Sequence, residues 1–367
     1  MREAELFKGR QALNLRQDCE AGNEAVTPSH HSPGKKDGVI YARTREGFDL
    51  PVIDITNPNF TVPDDPAAAQ RAKEAFVAEE HGRRHIPQFI MRMMLRAAAG
   101  KSRLIRAMFN SDSGYLDSIS TYVLKLGPDN LVPPYDSTLD LRVASAPHIL
   151  LIRLRMQQIA HLVAEGLADD LATAGAGAPL RLINIGGGTA LDSINGLIVL
   201  RRDHPDLLNR PIAIEVLDAN ADGTLFGANA LAALKADQGP LAGLDIGMNH
   251  HDYDWDKPAM LESLVGKLAS AGAIIAASSE GALFEYGSNQ AIIANLKALH
   301  AGGAGARFVA GSVTVDDDVN RRMIAQTGFK LVPRGIAGFA PLAAEAGFRI
   351  VKVEQAFLSE QALLRRV

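Results

Sequence analysis

Residues 180–218 read LRLINIGGGTALDSINGLIVLRRDHPDLLNRPIAIEVLD, and this stretch decides the fold. LRLINI (180–185) and IAIEVLD (212–218) are short apolar runs with the composition of buried strands. Between them LDSINGLIVLRR (191–202) has the spacing of a helix. Strand, helix and strand in that order imply a right-handed crossover and a parallel sheet covered on both faces. The first run ends in Asn184-Ile185-Gly186-Gly187-Gly188-Thr189-Ala190. Glycines at such a turn let backbone and ligand approach closely, because no Cβ intervenes. The second run ends in Asp218, and a carboxylate at a strand tip can accept both hydroxyls of a ribose. The dinucleotide pattern GxGxxG is not met, since Leu191 stands at its last glycine, and no GxxxxGK[ST] occurs. The geometry therefore suits an adenosine ligand, and the spacing argues against the usual NAD mode.

Toward the C-terminus the alternation continues. LDIGM (244–248), AIIAAS (273–278) and ARFVAGSV (306–313) read as strands, separated by helical FGANALAALKA, AMLESLVGKLA and NQAIIANLKAL. PLAAEAGFRIVKVEQAF and ALLRRV close the chain as a helix and two strands. Toward the N-terminus the pattern is different. Residues 1–65 are interrupted by Pro28, Pro33, Pro51, Pro58 and Pro63 and read as an extended arm with little core. Within it, Val39 to Ile55 alternates on both sides of Glu46-Gly47, as a hairpin does. Residues 66–147 read as a helical cap, opened by Asp65 as N-cap and Pro66 at the first helical position. Residues 148–367 begin with a long helix and form the ligand-binding domain. Met91, Met93 and Met94 are expected to fill a helical core. His30-His31 reads as a solvated loop. His81 and His85 lack the glutamate of an HExxH site, so no metal is expected.

Residues 150–367 resemble the class I S-adenosylmethionine-dependent methyltransferases. INIGGGTA matches their glycine motif in the form GxGxA, and IEVLDANADGTLFGANAL matches their second strand, ribose-binding acid and following helix. LDIGMNHHDYDW resembles the third strand and the loop that carries an acid toward the adenine amino group, with Asp252 the best fit and Asp254 second. LAAEAGFRIVKVE is similar to the helix and sixth strand that precede their closing antiparallel strand. The resemblance implies a doubly wound, Rossmann-like α/β sheet of seven strands with an antiparallel last strand, behind an N-terminal helical cap region. It implies S-adenosylmethionine as cofactor, held by Asn184, Gly186, Gly187, Gly188, Asp218, Ala219, Asp252, Tyr253, Ser278 and Ser279. Asn184 stands where the family commonly has Asp or Glu. The triple glycine is also similar to that of the polyamine aminopropyltransferases, but Thr189-Ala190 replaces the Asp-Gly of their GGGDG. Val132-Pro133-Pro134-Tyr135 is only superficially like an NPPY motif; it precedes the first strand and reads as a turn.

Methyl transfer asks a protein mainly to align a nucleophile with the sulfonium methyl, with a proton acceptor at hand where the nucleophile needs one. Glu280 and Glu285, with His251, are the expected catalytic side chains, since all three follow strands whose carboxyl ends face the ligand. Tyr115, Tyr122 and Lys125 of one cap helix, and the connection from Asp316 to Phe339, are expected to border the same pocket. The expected reaction is methyl transfer to an O or N atom of a small-molecule acceptor. A nucleotide-dependent oxidoreductase and a non-catalytic S-adenosylmethionine-binding protein are the alternatives.

Composition narrows the partners. The chain has 367 residues with 38 Lys and Arg against 42 Asp and Glu, a net charge of −4, so no general basic field holds nucleic acid or an anionic membrane. A single cysteine, Cys19, cannot form an intramolecular disulfide or a Cys-based zinc site. No apolar run reaches membrane-spanning length. A cytoplasmic enzyme with a small-molecule partner, dimerising through its helical region, is the expectation.

Overall fold

The computed structural model describes residues 35–83, 88–109, 116–175, 177–327 and 329–367. Cys19, His30, His31, His85 and Tyr115 lie outside the described residues. The main sheet has strands β1 (Leu180–Ile185), β2 (Ile212–Asp218), β3 (Ile246–Asp252), β4 (Ile274–Ser279), β5 (Ala306–Thr314), β6 (Phe348–Ala356) and β7 (Ser359–Arg366). Their spatial order is β3-β2-β1-β4-β5-β7-β6. β1 to β5 are mutually parallel, with Leu182 beside Ile214 and Ala276, whereas β7 runs antiparallel to both neighbours. The chain leaves β1 toward β2 on one side and returns to β4 on the other. The connections therefore diverge above the carboxyl end of β1 and open a crevice there.

Helices α1 (Pro66–Arg83), α2 (Gln88–Ala99), α3 (Arg103–Phe109), α4 (Ser118–Leu126) and α5 (Thr138–Ala144) precede the 27-residue α6 (Pro147–Thr173). Pro147 suits the first turn of α6, where its missing N–H is not needed. With α7 (Leu191–Asp203) and α8 (Ala221–Lys235), α6 buries one sheet face, represented by Leu182, Ile214 and Ala276. The residues between them, Ile183, Ile185 and Ile275, face α9 (Ala259–Ser270), α11 (Asn289–His300) and α13 (Gly335–Glu345). The short α10 (Leu283–Tyr286) follows β4, and α12 (Asp318–Thr327) lies in the connection after β5. Apolar side chains on both pleats explain why β1, β2, β4 and β5 read as continuous apolar runs.

Three expectations are corrected. Gly38–Val367 form one compact unit, so the second half of the expected arm belongs to the core. Tyr41–Arg43 pairs with Asp49–Pro51 as the expected hairpin; Leu50 within it and Ile53, Phe60 and Val62 beyond it are buried. This irregular stretch can be buried because side chains replace its missing ladder partners. Tyr122 Oη accepts from Ile53 N and donates to Pro51 O, both at 2.8 Å. Asn195 Oδ1 accepts from Ile55 N at 2.9 Å, and Gln157 bonds both backbone groups of Val62 at 2.9 Å. Second, Met93 and Met94 are 64% and 55% exposed and fill no core. They fall on the outer face of α2, which packs mainly on α3. Third, His250, His251 and Asp252 continue β3 instead of forming a loop. β3 is an edge strand with one open face, which tolerates polar side chains. Among the described residues, no helix is long and apolar enough to cross a membrane.

Candidate functional site

A cavity of about 670 Å³ lies at the amino end of the sheet between α6 and α7, lined by Asp169, Asp203 and Asp206. The larger cavity, about 1280 Å³, sits over the carboxyl ends of the strands and takes in the glycine turn. The turn is built by contact as much as by torsion. Gly186 and Gly188 have φ of +68° and +53°, the left-handed region that glycine adopts without strain. A Cβ on Gly186 would meet Ala282 at 2.7 Å and Trp255 at 3.0 Å. One on Gly187 would fall 1.7 Å from Asn184 Oδ1, and one on Gly188 would fall 2.7 Å from Ser118 Oγ. The turn is thus walled by Trp255 on one side and capped by the start of α4 on the other.

Asp218 completes the turn. Its Oδ2 accepts from Gly188 N at 3.0 Å and its Oδ1 from Asn220 N at 2.9 Å. Each carboxylate oxygen keeps a further lone pair, so both can still accept from a vicinal diol. His250 Nε2 lies 2.9 Å from the Asp218 carbonyl oxygen and steadies the strand tip. Ala219, Asp252, Tyr253, Asp254 and Trp255 continue the wall. Tyr253 is buried and bonds Asn295 through its hydroxyl.

Asn184, Ser278 and Ser279 do not reach the cavity wall as expected. Asn184 is fully buried beneath Gly187, where its Nδ2 donates to Asp192 Oδ1 (2.6 Å), Ser193 Oγ (3.1 Å) and Ser278 Oγ (3.2 Å). Ser279 Oγ donates to Ile185 O and accepts from Leu283 N, each at 3.0 Å. These side chains face inward because β1 and β4 are central strands, and they hold the turn from below. Burial also raises the Asp192 carboxyl above its ordinary range.

The acidic pair after β4 is tied to cations. Glu280 Oε1 accepts from Arg155 Nε of α6 at 2.6 Å, and Oε2 is paired with Lys125 of α4. Arg155 Nη1 reaches both oxygens of Glu285, at 3.1 and 3.0 Å. All four side chains are at most 13% exposed. Burial alone would raise the Glu280 carboxyl, but Arg155 and Lys125 outweigh it and hold it at about 2. Burial dominates at Glu285 and raises it despite Arg155. With both oxygens already taken by cations, Glu280 is corrected from proton acceptor to ion-pair partner. His251 is corrected too. Its Nε2 lies 2.8 Å from the buried Glu215 Oε2 and it is not part of the cavity wall, because alternation turns it to the other face of β3.

The ion pairs make stability depend on acid. Lowering Glu280 from 4.5 to about 2 corresponds to about 3 kcal/mol. For a depressed carboxylate this stabilisation is complete above pH 4.5 and is lost as pH falls toward 2. Glu285 and Asp192, being raised, act in the opposite sense, favouring the native state in acid. Glu280→Gln should therefore be clearly less stable than wild type at pH 7, with the gap narrowing steadily toward pH 2 in urea unfolding. A gap independent of pH would contradict the assignment.

Several wall residues carried no signal in the sequence. Arg155 resembles any cation of an amphipathic helix. Trp255, the only tryptophan in the chain, follows the acidic DYD without a recognisable motif. Tyr135, set aside as part of a turn, is buried in the wall beside Arg103, and His148 lines the wall in the first turn of α6. The connection after β5 contributes Met323, Phe329 and Leu331 to the wall.

The deciding feature is a seven-stranded sheet whose order, counted along the chain, is 3-2-1-4-5-7-6, with its last strand reversed and a glycine turn at the switch point. The chain has the class I methyltransferase fold. No protein-family model matches it, and no curated protein does. Among solved structures it is similar to a possible exported protein from Bordetella parapertussis, 16% identical with a TM-score of 0.51, over 83% of this chain and 99% of that one. It also matches the mitomycin 7-O-methyltransferase MmcR, 11% identical with a TM-score of 0.36, over 83% and 73% of the two chains. The O-methyltransferase NcsB1 from neocarzinostatin biosynthesis is 16% identical with a TM-score of 0.36, over 89% and 81%. The crevice over β1 and β4 is the cavity just described.

Proposed function

We propose that this chain transfers a methyl group from S-adenosylmethionine to an O or N atom of a small-molecule acceptor. The observation that carries the reading is Asp218, whose carboxylate is locked to the glycine turn by Gly188 N yet keeps two acceptor positions toward the cavity. Asp218 would take the ribose hydroxyls, and Asp252 the adenine amino group. The backbone of Gly186, Gly187 and Gly188 would lie against the amino-acid portion, supported from below by Asn184, Ser278 and Ser279. When bound, the cofactor supplies an activated methyl group. The protein then aligns the acceptor and excludes water. The room between the turn and the apolar walls from α4, α6 and the connection after β5 is where an acceptor fits. With Glu280 ion-paired, the imidazole of His148 in the wall is assigned the proton-accepting role where the acceptor needs one. The acidic composition with one cysteine fits a cytoplasmic enzyme.

Trp255 stands 3.0 Å from the Cβ position of Gly186, so its fluorescence should report occupancy of the turn without any label. Titration with S-adenosylmethionine and S-adenosylhomocysteine should change the emission saturably, and NADH should not. Mass spectrometry of small molecules released from the denatured protein should find the same nucleosides. Saturable NADH binding with no response to either S-adenosyl compound would replace this reading with the oxidoreductase one.

A further inference from the structure

α4 spans the cavity. Its first residue, Ser118, caps the glycine turn, and Lys125 lies seven residues on, about 10 Å along a helix. Lys125 Nζ has Glu280 as its hydrogen-bond partner, although an ammonium carries three donors. The guanidinium of Arg155 uses Nε and Nη1 on the two glutamates, while Nη2 makes no hydrogen bond to the described residues. Nη2 stands 2.5 Å from where a Cβ on Gly281 would be, and Gly281 itself lines the cavity with φ of +68°. Any larger residue at 281 would cover the guanidinium edge. Leu124, Ile152, Leu331 and Leu358 supply apolar wall nearby. The cations therefore present spare donors to the cavity, while the oxygens of Glu280 are each occupied.

We propose that Lys125 Nζ and Arg155 Nη2 form an oxyanion subsite that binds a carboxylate or phenolate oxygen in the cavity. This rests on the methyltransferase reading. The oxyanion has two sources, the methyl acceptor or the amino-acid end of the cofactor, and the two separate by experiment. Binding is measured by calorimetry for wild type, Lys125→Met and Lys125→Arg, with melting temperatures recorded for each. The nucleoside probes are S-adenosylhomocysteine, which carries a carboxylate, and 5′-methylthioadenosine, which does not. The acceptor-like probes are 4-biphenylcarboxylate and its neutral carboxamide.

Loss of a charged hydrogen bond weakens binding by about tenfold or more. Lys125→Met should weaken one carboxylate probe by that factor and leave both neutral probes unchanged, and Lys125→Arg should restore most of the loss. Weakening of S-adenosylhomocysteine assigns the subsite to the cofactor, and weakening of 4-biphenylcarboxylate assigns it to the acceptor. Unchanged affinity for both carboxylates, or equal loss for charged and neutral probes, overturns the proposal. Where Lys125→Met does not fold, wild type alone decides. It should bind 4-biphenylcarboxylate over its carboxamide, or S-adenosylhomocysteine over its own carboxamide, about tenfold or more tighter, and equal binding within both of these pairs overturns the subsite. Wild type that binds neither nucleoside probe contradicts the methyltransferase reading instead, and the carboxylate-over-carboxamide preference still decides the subsite.

Discussion

Arg155→Met should cost about 3–5 kcal/mol of stability, the usual result of removing one partner from a buried ion pair. Arg155 is 13% exposed and lies between Glu280 at 5% and Glu285 at 3%. Lys125 would remain with Glu280, but Glu285 would keep a buried carboxyl with no cation. A domain of ordinary stability holds about 5–15 kcal/mol in total, so the variant should be near the limit of folding. Two controls separate charge from packing. Arg155→Met with Glu285→Gln should recover part of the loss, because the uncompensated charge is gone. The single variant should also regain stability as pH falls from 7, since its orphaned Glu285 can then take up a proton. Urea unfolding of the three proteins checks both points. A single-variant loss below about 1 kcal/mol would mean that water, and not protein, surrounds this group.

The reason such a network was hidden lies in sequence separation. Arg155 reaches partners 125 and 130 residues away, and nothing in HILLIRLRMQQ distinguishes it from a solvated cation. The same holds for residues 52–62. Pro58, with Pro51 and Pro63 on either side, does break regular structure, but Tyr122, Asn195 and Gln157, 69 to 140 residues distant, accept or supply the missing backbone bonds. Local spacing cannot announce a partner so far along the chain. What was legible rests on local rules: the apolar strand runs, the glycine turn, the acid at the tip of β2 and the helix–strand–strand tail. β3 was legible only in part. Its His250, His251 and Asp252 read as loop because an open edge strand lacks the continuous apolar signature of its buried neighbours. Asn184, Ser278 and Ser279 were found by position but not by depth, since a motif fixes where a residue lies along a strand and not which layer its side chain joins.

Asp218 bears the central claim. Its carboxylate both ties the glycine turn to β2 and faces the cavity, and it is partly exposed, so its loss should disturb binding far more than folding. Hydrogen bonds to a charged acceptor contribute about 1.5–3 kcal/mol each, and a ribose would make two. Asp218→Ala should therefore weaken nucleoside binding by about a hundredfold. The turn would also lose its Gly188 anchor, which adds to the effect on affinity. The direct measurement is calorimetric titration of S-adenosylhomocysteine into wild type and Asp218→Ala, with the melting temperature of each as a folding control. The account expects saturable binding to wild type, a loss of about a hundredfold in the variant, and a small change in melting temperature. Equal affinity in the two proteins, or no binding to wild type, would contradict it.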